Sequence, residues 1–355
     1  MYRGHTVAVV VPAYNEEAYV GDVLATIPQF VDRIYAVDDR STDMTWEIIQ
    51  SIAAEELFVR DPVPEETTPR TERELPIGTP QASARASIAD GGTLARQRIV
   101  PIRHEENQGA GAALRTGYLR ALSDRMDIVV AMDADGQMDP DQLPRLLDPI
   151  AADEADYAKG NRLARRDHRT GMPSFRLFGN RLLTFLTKAS SGYWGIDDPQ
   201  NGYTAISHEA LASIGVEDIP DDHNYTNDLL VRLNVSEMRV ADVPMPAVYN
   251  DEESTIQYRT FVPRTSRTLA SGFLYRLRRR YDWDRPRAVP LLYLVGLLAL
   301  VPAVTGGLAM MASPIGEGAS MIPAVLGVVL LAGALALGTA VALDVHENAE
   351  LEVAA

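Results

Sequence analysis

Asp133 and Asp135, spaced two apart in MDADGQMDP, are the residues of this sequence best suited to chemistry. In extended backbone, positions i and i+2 share a side, so both carboxylates can approach one divalent ion that also binds a diphosphate. Mg²⁺ or Mn²⁺ there keeps positions open for phosphate oxygens and neutralises charge growing on a leaving group. A solvated turn built on Gly136 and Pro140 is the competing reading. Upstream, VPAYNEE offers Pro12, Tyr14, Asn15 and Glu16, and VDDRSTD offers Asp38, Asp39, Ser41 and Asp43. A carboxylate accepting from a ribose hydroxyl or base N–H, with a tyrosine face for stacking, describes a nucleoside site. Acidic residues after a strand are also the usual helix caps. NQGAGAALRTGY puts Gly109 and Gly111 at a helix start with Arg115 one turn in, an arrangement that favours a phosphate. Downstream come Lys159 and Arg162 in KGNRL, then Arg176 and Asn180 on a later helix, then DDPQNGYTA from Asp197. The basic residues read as an anionic acceptor site or, equally, as surface ion-pair partners. A hydroxyl acceptor would need a carboxylate to remove its proton, and Asp197, Asp198 and Asp228 are the candidates.

The elements that must position these residues alternate. TVAVVVP, RIYAVDD, RIVPI and DIVVAMD have the short β-branched character of strands in the middle of a parallel sheet, buried on both faces. Ala18 to Ile27, Met44 to Glu56 and Ala110 to Ser123 read as the helices between them, a βαβ architecture with a mostly parallel sheet. Its ligands belong at the carboxyl ends of the strands, where all the motifs fall. Residues of about 60–98 hold five prolines, three glycines and no aromatic side chain, and read as a disordered insertion.

After residue 258 the character changes. No charged residue lies between Arg287 and Glu317, nor between Glu317 and Asp344, and each stretch exceeds the roughly 20 apolar residues that span a bilayer. The reading is a two-helix transmembrane hairpin over 288–343, Ala288 to Ser313 and Met321 to Leu343, with a pair of buried core helices as the alternative. RLRRRYDWDRPR before it is strongly basic, so the positive-inside rule puts the large N-terminal portion and the acidic tail, 344–355, at the cytoplasmic face. Tyr281 and Trp283 suit the membrane interface. Residues 259–287 read as an amphipathic juxtamembrane segment, with Phe261, Leu269, Phe273, Leu274 and Leu277 toward the membrane. No signal peptide is read at the start, because Thr6 to Pro12 is a short apolar run with strand spacing.

Composition narrows the classes. The 355 residues carry a formal net charge of −16, which argues against a general nucleic-acid binder. Cysteine is absent, excluding disulfides, thiolate metal sites and a thiol nucleophile. The six histidines have no metal-ligand spacing, so any metal is a hard, oxygen-bound cation. Only Lys159 and Lys188 are lysines, all other basic residues being arginine; with the acidic excess this resembles the composition of salt-adapted proteins, in which carboxylates keep the surface hydrated, with an ordinary acidic mesophile as the alternative.

As an ordered set, VPAYNEE, VDDRSTD, NQGAGAALRTGY, DADGQ and DPQNGYTA resemble the family 2 glycosyltransferases of GT-A fold, most nearly the polyprenyl-phosphate (dolichol-phosphate) hexosyltransferases. The likeness covers about residues 5–258 apart from the insertion. It implies an α/β GT-A catalytic domain, 1–258, whose first two motifs hold a nucleotide-diphosphate sugar through Pro12, Tyr14, Glu16, Asp38 and Asp39. It also implies that Asp133, Asp135 and Gln137 bind the metal, that Arg162 and Arg176 bind the acceptor phosphate with Asn180 where a serine is frequent, and that the anomeric centre inverts. One departure is Asn250, Asp251 and Glu252, an acidic loop where the family commonly has an arginine and then a G-x-S element; only Ser254 survives. The expected activity is metal-dependent transfer of a hexose to a polyprenyl phosphate. The alternatives are a transferase to a sugar or lipid hydroxyl and a catalytically silent, membrane-anchored nucleotide-sugar binder.

Overall fold

The apolar runs alternate in the direction of their side chains, so each strand feeds two cores. In β1 (Val7–Ala13), Val7, Val9 and Val11 join one buried cluster while Ala8 and Val10 join another on the opposite face. The computed structural model describes residues 1–60, 97–164, 174–246, 258–281, 288–312 and 321–354. Over these the chain continues through α1 (Val20–Thr26), β2 (Arg33–Asp38), α2 (Thr45–Arg60), β3 (Ile99–Arg103), α3 (Ala110–Ser123), β4 (Ile128–Ala131), α4 (Leu143–Ala151) and β5 (Tyr157–Asn161). It then forms α5 (Ser174–Ser191), β6 (Thr204–Ser207), α6 (His208–Ser213), α7 (Tyr225–Val235), β7 (Val240–Pro244), α8 (Tyr258–Arg280), α9 (Ala288–Ala312), α10 (Met321–Asn348) and β8 (Glu352–Ala354). The four expected strands and the helices between them are present.

The strands form one sheet of order β3-β2-β1-β4-β6-β5-β7-β8. All pairings are parallel except those of β6, which runs antiparallel to both β4 and β5. This is an α/β, GT-A-like architecture with a mixed, mostly parallel sheet. The reversal of β6 matters for function: β4, β5 and β7 end at the edge where β6 begins, so the loop entering β6 meets three strand ends.

The C-terminal quarter departs from expectation in three ways. Among the described residues one helix, over Val325–Leu351, is long and apolar enough to cross a membrane, while the apolar stretch of α9, Ala288–Val301, is shorter. A two-span hairpin is therefore not established by length and composition. Second, Leu269, Phe273 and Leu277 of α8 face protein, while Leu274 is exposed and the side chain of Phe261 lies outside the described residues. Leu269 is buried, and Phe273 and Leu277 pack against Tyr281, Val289 and Tyr293. Its exposed side carries Arg264, Arg267, Arg278 and Arg279 beside Leu274 and Tyr275. Tyr281, expected at the interface, is buried with its hydroxyl 2.7 Å from Glu347. Third, the segment expected as an acidic tail is built into the fold: Asp344 and Asn348 are fully buried, and β8 pairs with β7 in the register Val240↔Glu352 and Asp242↔Ala354. The insertion (61–96), the acidic loop with Asn250, Asp251, Glu252 and Ser254, and Trp283 lie outside the described residues.

Candidate active site

At the shared edge of β4, β5 and β7 a cleft opens, lined by Asp133, Asp135, Gln137 and Met138 after β4, by Arg162 after β5, by Gln200 to Tyr203 before β6 and by Met245 and Pro246 after β7. Its floor is a tight turn. Asp135 Oδ1 accepts from Gln137 N–H at 2.9 Å, Gly136 takes φ 72°, and Asp139 caps the 3-10 turn at Pro140–Gln142 by accepting from Asp141 N–H. The turn foreseen around Gly136 and Pro140 is thus real, and it aims the two carboxylates into the cleft. Gly202 passes so near that an added Cβ would stand 3.2 Å from Asp133 Oδ2.

Burial, and then the charge of Asp135, push the Asp133 carboxyl up to about 7. Two carboxylates with mutual repulsion, a neighbouring amide and open cleft beyond form an all-oxygen donor set short of a full coordination shell. Such a set fits Mg²⁺ or Mn²⁺ sharing its remaining positions with phosphate oxygens and water. Among the described residues no group of three or more His, Cys, Asp or Glu side chains forms a metal cage.

Opposite these carboxylates stands a cationic wall. Asp198, buried, accepts from Arg162 at its backbone N–H (3.1 Å), Nε (2.8 Å) and Nη2 (3.3 Å). Lys159 is fully buried beneath, donating from Nζ to Asn201 O; burial lowers it to about 8 against the favourable field of Asp198. Asn201 is fixed by Nδ2 donating to Gly160 O at 2.8 Å and by Oδ1 accepting from Tyr203 N–H at 3.1 Å. Lys159 and Asn201 therefore set the path of the loop that carries Gln200 into the cleft. Gln200, Asn201 and Tyr203 lie within DPQNGYTA with no spacing that marks their roles, and nothing in the sequence points to Met245 and Pro246.

Other expected residues are placed elsewhere. Asp197 pairs with Lys188 at 2.9 Å on the surface, and Asp228 pairs with Arg232 one turn along α7. Arg115 turns to the loop before α7, donating to Ile219 O at 2.8 Å and pairing with Asp221 at 2.6 Å. The start of α3 is occupied as well: Gly111 N–H donates to Asp221 O and Gly109 N–H to Asp39. Without a ligand, the N–H groups of Gly109 and Gly111 and the Arg115 guanidinium, expected at a phosphate, have these protein partners. Arg176 and Asn180 fall on α5, with their side chains outside the described residues.

The nucleoside motifs divide. Tyr14 is 46% exposed after β1, beside Pro12 and Glu16, and its ring is available for stacking. Asp38 and Asp39 point inward. Asp38 accepts from Ser41 N–H and pairs with Arg103 at 2.9 Å. Asp39 accepts from Gln108 and Gly109 N–H, with His104 Nδ1 2.7 Å away. Both order the loops around the cleft rather than presenting a vacant carboxylate. Asp43 acts as the cap it resembles, accepting from Thr45 N–H and from its hydroxyl at the start of α2, bonds that hold the Asp43 carboxyl below its usual range even though burial opposes them, whereas Ser41 Oγ accepts from Asn15 N–H and ties this loop to the one after β1.

The family model described as glycosyl transferase family 2 matches residues 8–62 and 84–215, more than half of the chain. The chain belongs to this family. It is 26% identical over 243 residues, 68% of this chain and 85% of the relative, to the UDP-N-acetylglucosamine–dolichyl-phosphate N-acetylglucosaminyltransferase of Methanococcus voltae. It is also 26% identical over 249 residues, 69% of this chain and 84% of the relative, to a dolichyl-phosphate hexose transferase of Haloferax volcanii. Among solved structures, glucosyl-3-phosphoglycerate synthase from Mycobacterium tuberculosis, in complex with Mn²⁺, UDP-glucose and phosphoglyceric acid, aligns with TM-score 0.47 and 21% identity over 77% of this chain and 80% of that one.

Proposed function

We propose that this chain is an inverting hexosyltransferase that carries a sugar from a nucleoside diphosphate to a polyprenyl phosphate at the cytoplasmic face of a membrane. The observation that carries the acceptor class is that each carboxylate considered as a base already has a cation: Asp197 has Lys188, Asp198 has Arg162 and Asp228 has Arg232. A hydroxyl nucleophile would need one of them free. A phosphate oxygen is anionic at neutral pH and needs no base. The naming of the archaeal relatives as dolichyl-phosphate transferases supports the same acceptor.

In this reading Tyr14 stacks on the donor base, and Arg162, held by Asp198, faces the acceptor phosphate together with Arg176 and Asn180. Asp133, Asp135 and Gln137 would hold Mg²⁺ or Mn²⁺, which supplies charge neutralisation at the departing diphosphate. A phosphate oxygen attacks the sugar C1 while the bond from C1 to the diphosphate oxygen breaks with its electron pair. The products are a glycosyl phosphate lipid and a nucleoside diphosphate, with C1 inverted and no proton transferred. The cleft excludes water as an acceptor to the extent that Gln200 to Tyr203 and Met245 close around C1. Membrane placement is part of the proposal: α9 and α10 cross as a pair, because the chain leaves the catalytic domain at Tyr281 and is back in its sheet at β8.

The test is incubation of membranes holding the protein with polyprenyl phosphate and a panel of labelled nucleoside diphosphate sugars, in Mn²⁺ or EDTA, followed by mild acid treatment of the extracted lipid. The expected product releases its sugar in acid and is absent in EDTA and with Asp135→Asn. An acid-stable glycoside refutes the phosphate acceptor, and undiminished turnover by Asp135→Asn refutes the metal assignment.

A further inference from the structure

A buried ion pair joins the foot of the apolar helices to the wall of the cleft. Arg276 of α8 and Asp344 of α10 are both fully buried, with Nη1 and Nη2 donating to the two carboxylate oxygens at 2.8 Å each. The same guanidinium donates from Nε to Ser190 O and from Nη2 to Ala189 O, both at 3.0 Å. These are carbonyls of the last turn of α5, which have no partner within their own helix. A cation there is favoured by the helix dipole, and Asp344 balances the charge that burial would otherwise penalise. Asp344 also accepts from Asn348 Nδ2 at 2.9 Å, and Asn348 Oδ1 accepts from Asn234 of α7 at 2.8 Å.

Directly after α5 the chain reverses at Gly192, whose φ of 82° and close neighbours, Arg276 Nη1 and Asn234 Nδ2, leave no place for a side chain. From this reversal the loop runs to Asp198, Gln200 and Asn201 in the cleft wall. A second brace reaches the same loop from β8, where Glu352 lies against Gly195 so closely that a Cβ would collide with it. β8 also pairs with β7, whose far end leads into Met245 and Pro246 on the other side of the cleft.

We propose that Asp344, Asn348 and β8, acting through Arg276, are positioning elements for the acceptor half of the site: the segment that returns from the apolar helices holds the Gly192–Tyr203 loop, and with it Asp198 and Arg162, in place. This rests on the acceptor reading given above. The pair is bidentate and buried, so it fixes one arrangement and does not slide, the role for which buried ion pairs are best attested. The donor-side residues Tyr14, Asp133 and Asp135 belong to loops after β1 and β4; of these Asp133 meets the braced loop at Gly202, whose neighbours Asn201 and Tyr203 are also held by Gly160 O and Asp139 O, bonds the brace does not touch.

The experiment uses the full-length protein in membranes and two variants, Asp344→Asn and a deletion of residues 349–355. Hydrogen exchange is followed in peptides covering 192–203 and 7–13, and KM is measured for polyprenyl phosphate and for the donor sugar. Exchange in 192–203 is expected to quicken about tenfold or more while 7–13 stays unchanged, since local opening reports local stability. KM for the lipid is expected to rise about tenfold, with donor KM unchanged. Unchanged exchange in 192–203, or donor and acceptor KM rising together, overturns the proposal. Should Asp344→Asn fail to fold, the deletion, which leaves the ion pair intact and removes the edge strand with the packing of Leu351 and Val353, decides by the same two readings. Failure of the wild type to use polyprenyl phosphate would count against the acceptor reading alone, because the exchange arm tests the brace without any acceptor.

Discussion

Asp198→Asn separates the two acceptor chemistries. Asp198 is 5% exposed and its partner Arg162 39%, with one guanidinium contact at 2.8 Å and a second, longer one at 3.3 Å. Charge-assisted hydrogen bonds contribute about 1.5–3 kcal/mol when buried. Solvent around the half-exposed guanidinium discounts this to about 1–2 kcal/mol. Asparagine keeps the shape and one acceptor oxygen, so the expected loss is in the orientation of Arg162: acceptor KM rises about 5–30-fold, the equivalent of that energy, and kcat falls only modestly. A general base at Asp198 gives the opposite pattern, kcat down by about 10²–10⁴ with acceptor KM little changed. The assay is steady-state transfer at saturating donor with the lipid phosphate varied, repeated in Arg162→Gln. Because the two side chains act as a unit, the double variant is expected to be no worse than Arg162→Gln alone. A kcat loss beyond about a hundredfold at constant acceptor KM would show that Asp198 moves a proton and would return the hydroxyl acceptor to first place.

Two further outcomes follow from the packing. Gly117 of α3 sits against Val10 of β1 with no room for a methyl group; Gly117→Ala is expected to lower stability by about 1–2 kcal/mol despite the better helix propensity of alanine, read as a shift in the denaturant midpoint, and a stabilised variant would refute that packing. Burial raises Asp242 from 3.8 to about 6, so the folded state binds more protons than the unfolded one between these values, and the contribution of Asp242 to stability declines as pH rises from about 4 to about 6 and is level above. Complete burial would put that decline at about 3 kcal/mol, partial exposure at about 1–2, and Asp242→Asn should remove it; an unchanged pH profile in the variant would count against the assignment.

What could be read from the sequence is what the chain encodes locally. The bounds expected for α3, Ala110–Ser123, are those observed, because its apolar period and its glycine start lie within one segment. DADGQ is legible for the same reason: its turn and its spacing of two are properties of five consecutive residues. The partners of the cleft wall are not local. Arg162 meets Asp198 across 36 positions and Arg276 meets Asp344 across 68, and no periodicity links residues so far apart. Charge alone made Asp197, Asp198 and Asp228 equivalent as bases; only the fold supplies each with its cation. The same limit applies to α8. Its pattern shows that one side is apolar and cannot say whether lipid or protein covers it, and here α5, α7 and the first turns of α9 do. β8 is too short to announce itself and is a strand only because β7 offers an open edge.

In the membrane placement proposed above, the parity of crossings is set by the sheet, independently of hydropathy. At 25 and 28 residues, α9 and α10 extend about 37 and 42 Å, each more than the ~30 Å apolar core of a bilayer. Leu291, Leu294, Leu298 and Val301 on one and Val325, Val328, Leu331 and Leu335 on the other are exposed, the kind of apolar surface the proposed membrane placement would cover. The chain enters α9 from the catalytic side and leaves α10 into β8, a strand of the catalytic sheet, so the two helices cross together or not at all. The protein contains no cysteine, which makes single introduced thiols clean reporters. In intact cells treated with a membrane-impermeant maleimide, Glu317→Cys is expected to label at once, and Asp284→Cys and Glu350→Cys only after permeabilisation. Protection of all three would mean that both helices lie along the cytoplasmic surface and would refute the hairpin. Labelling of the two flanking positions from opposite sides is incompatible with the pairing of β7 and β8, and would overturn the sheet assignment itself.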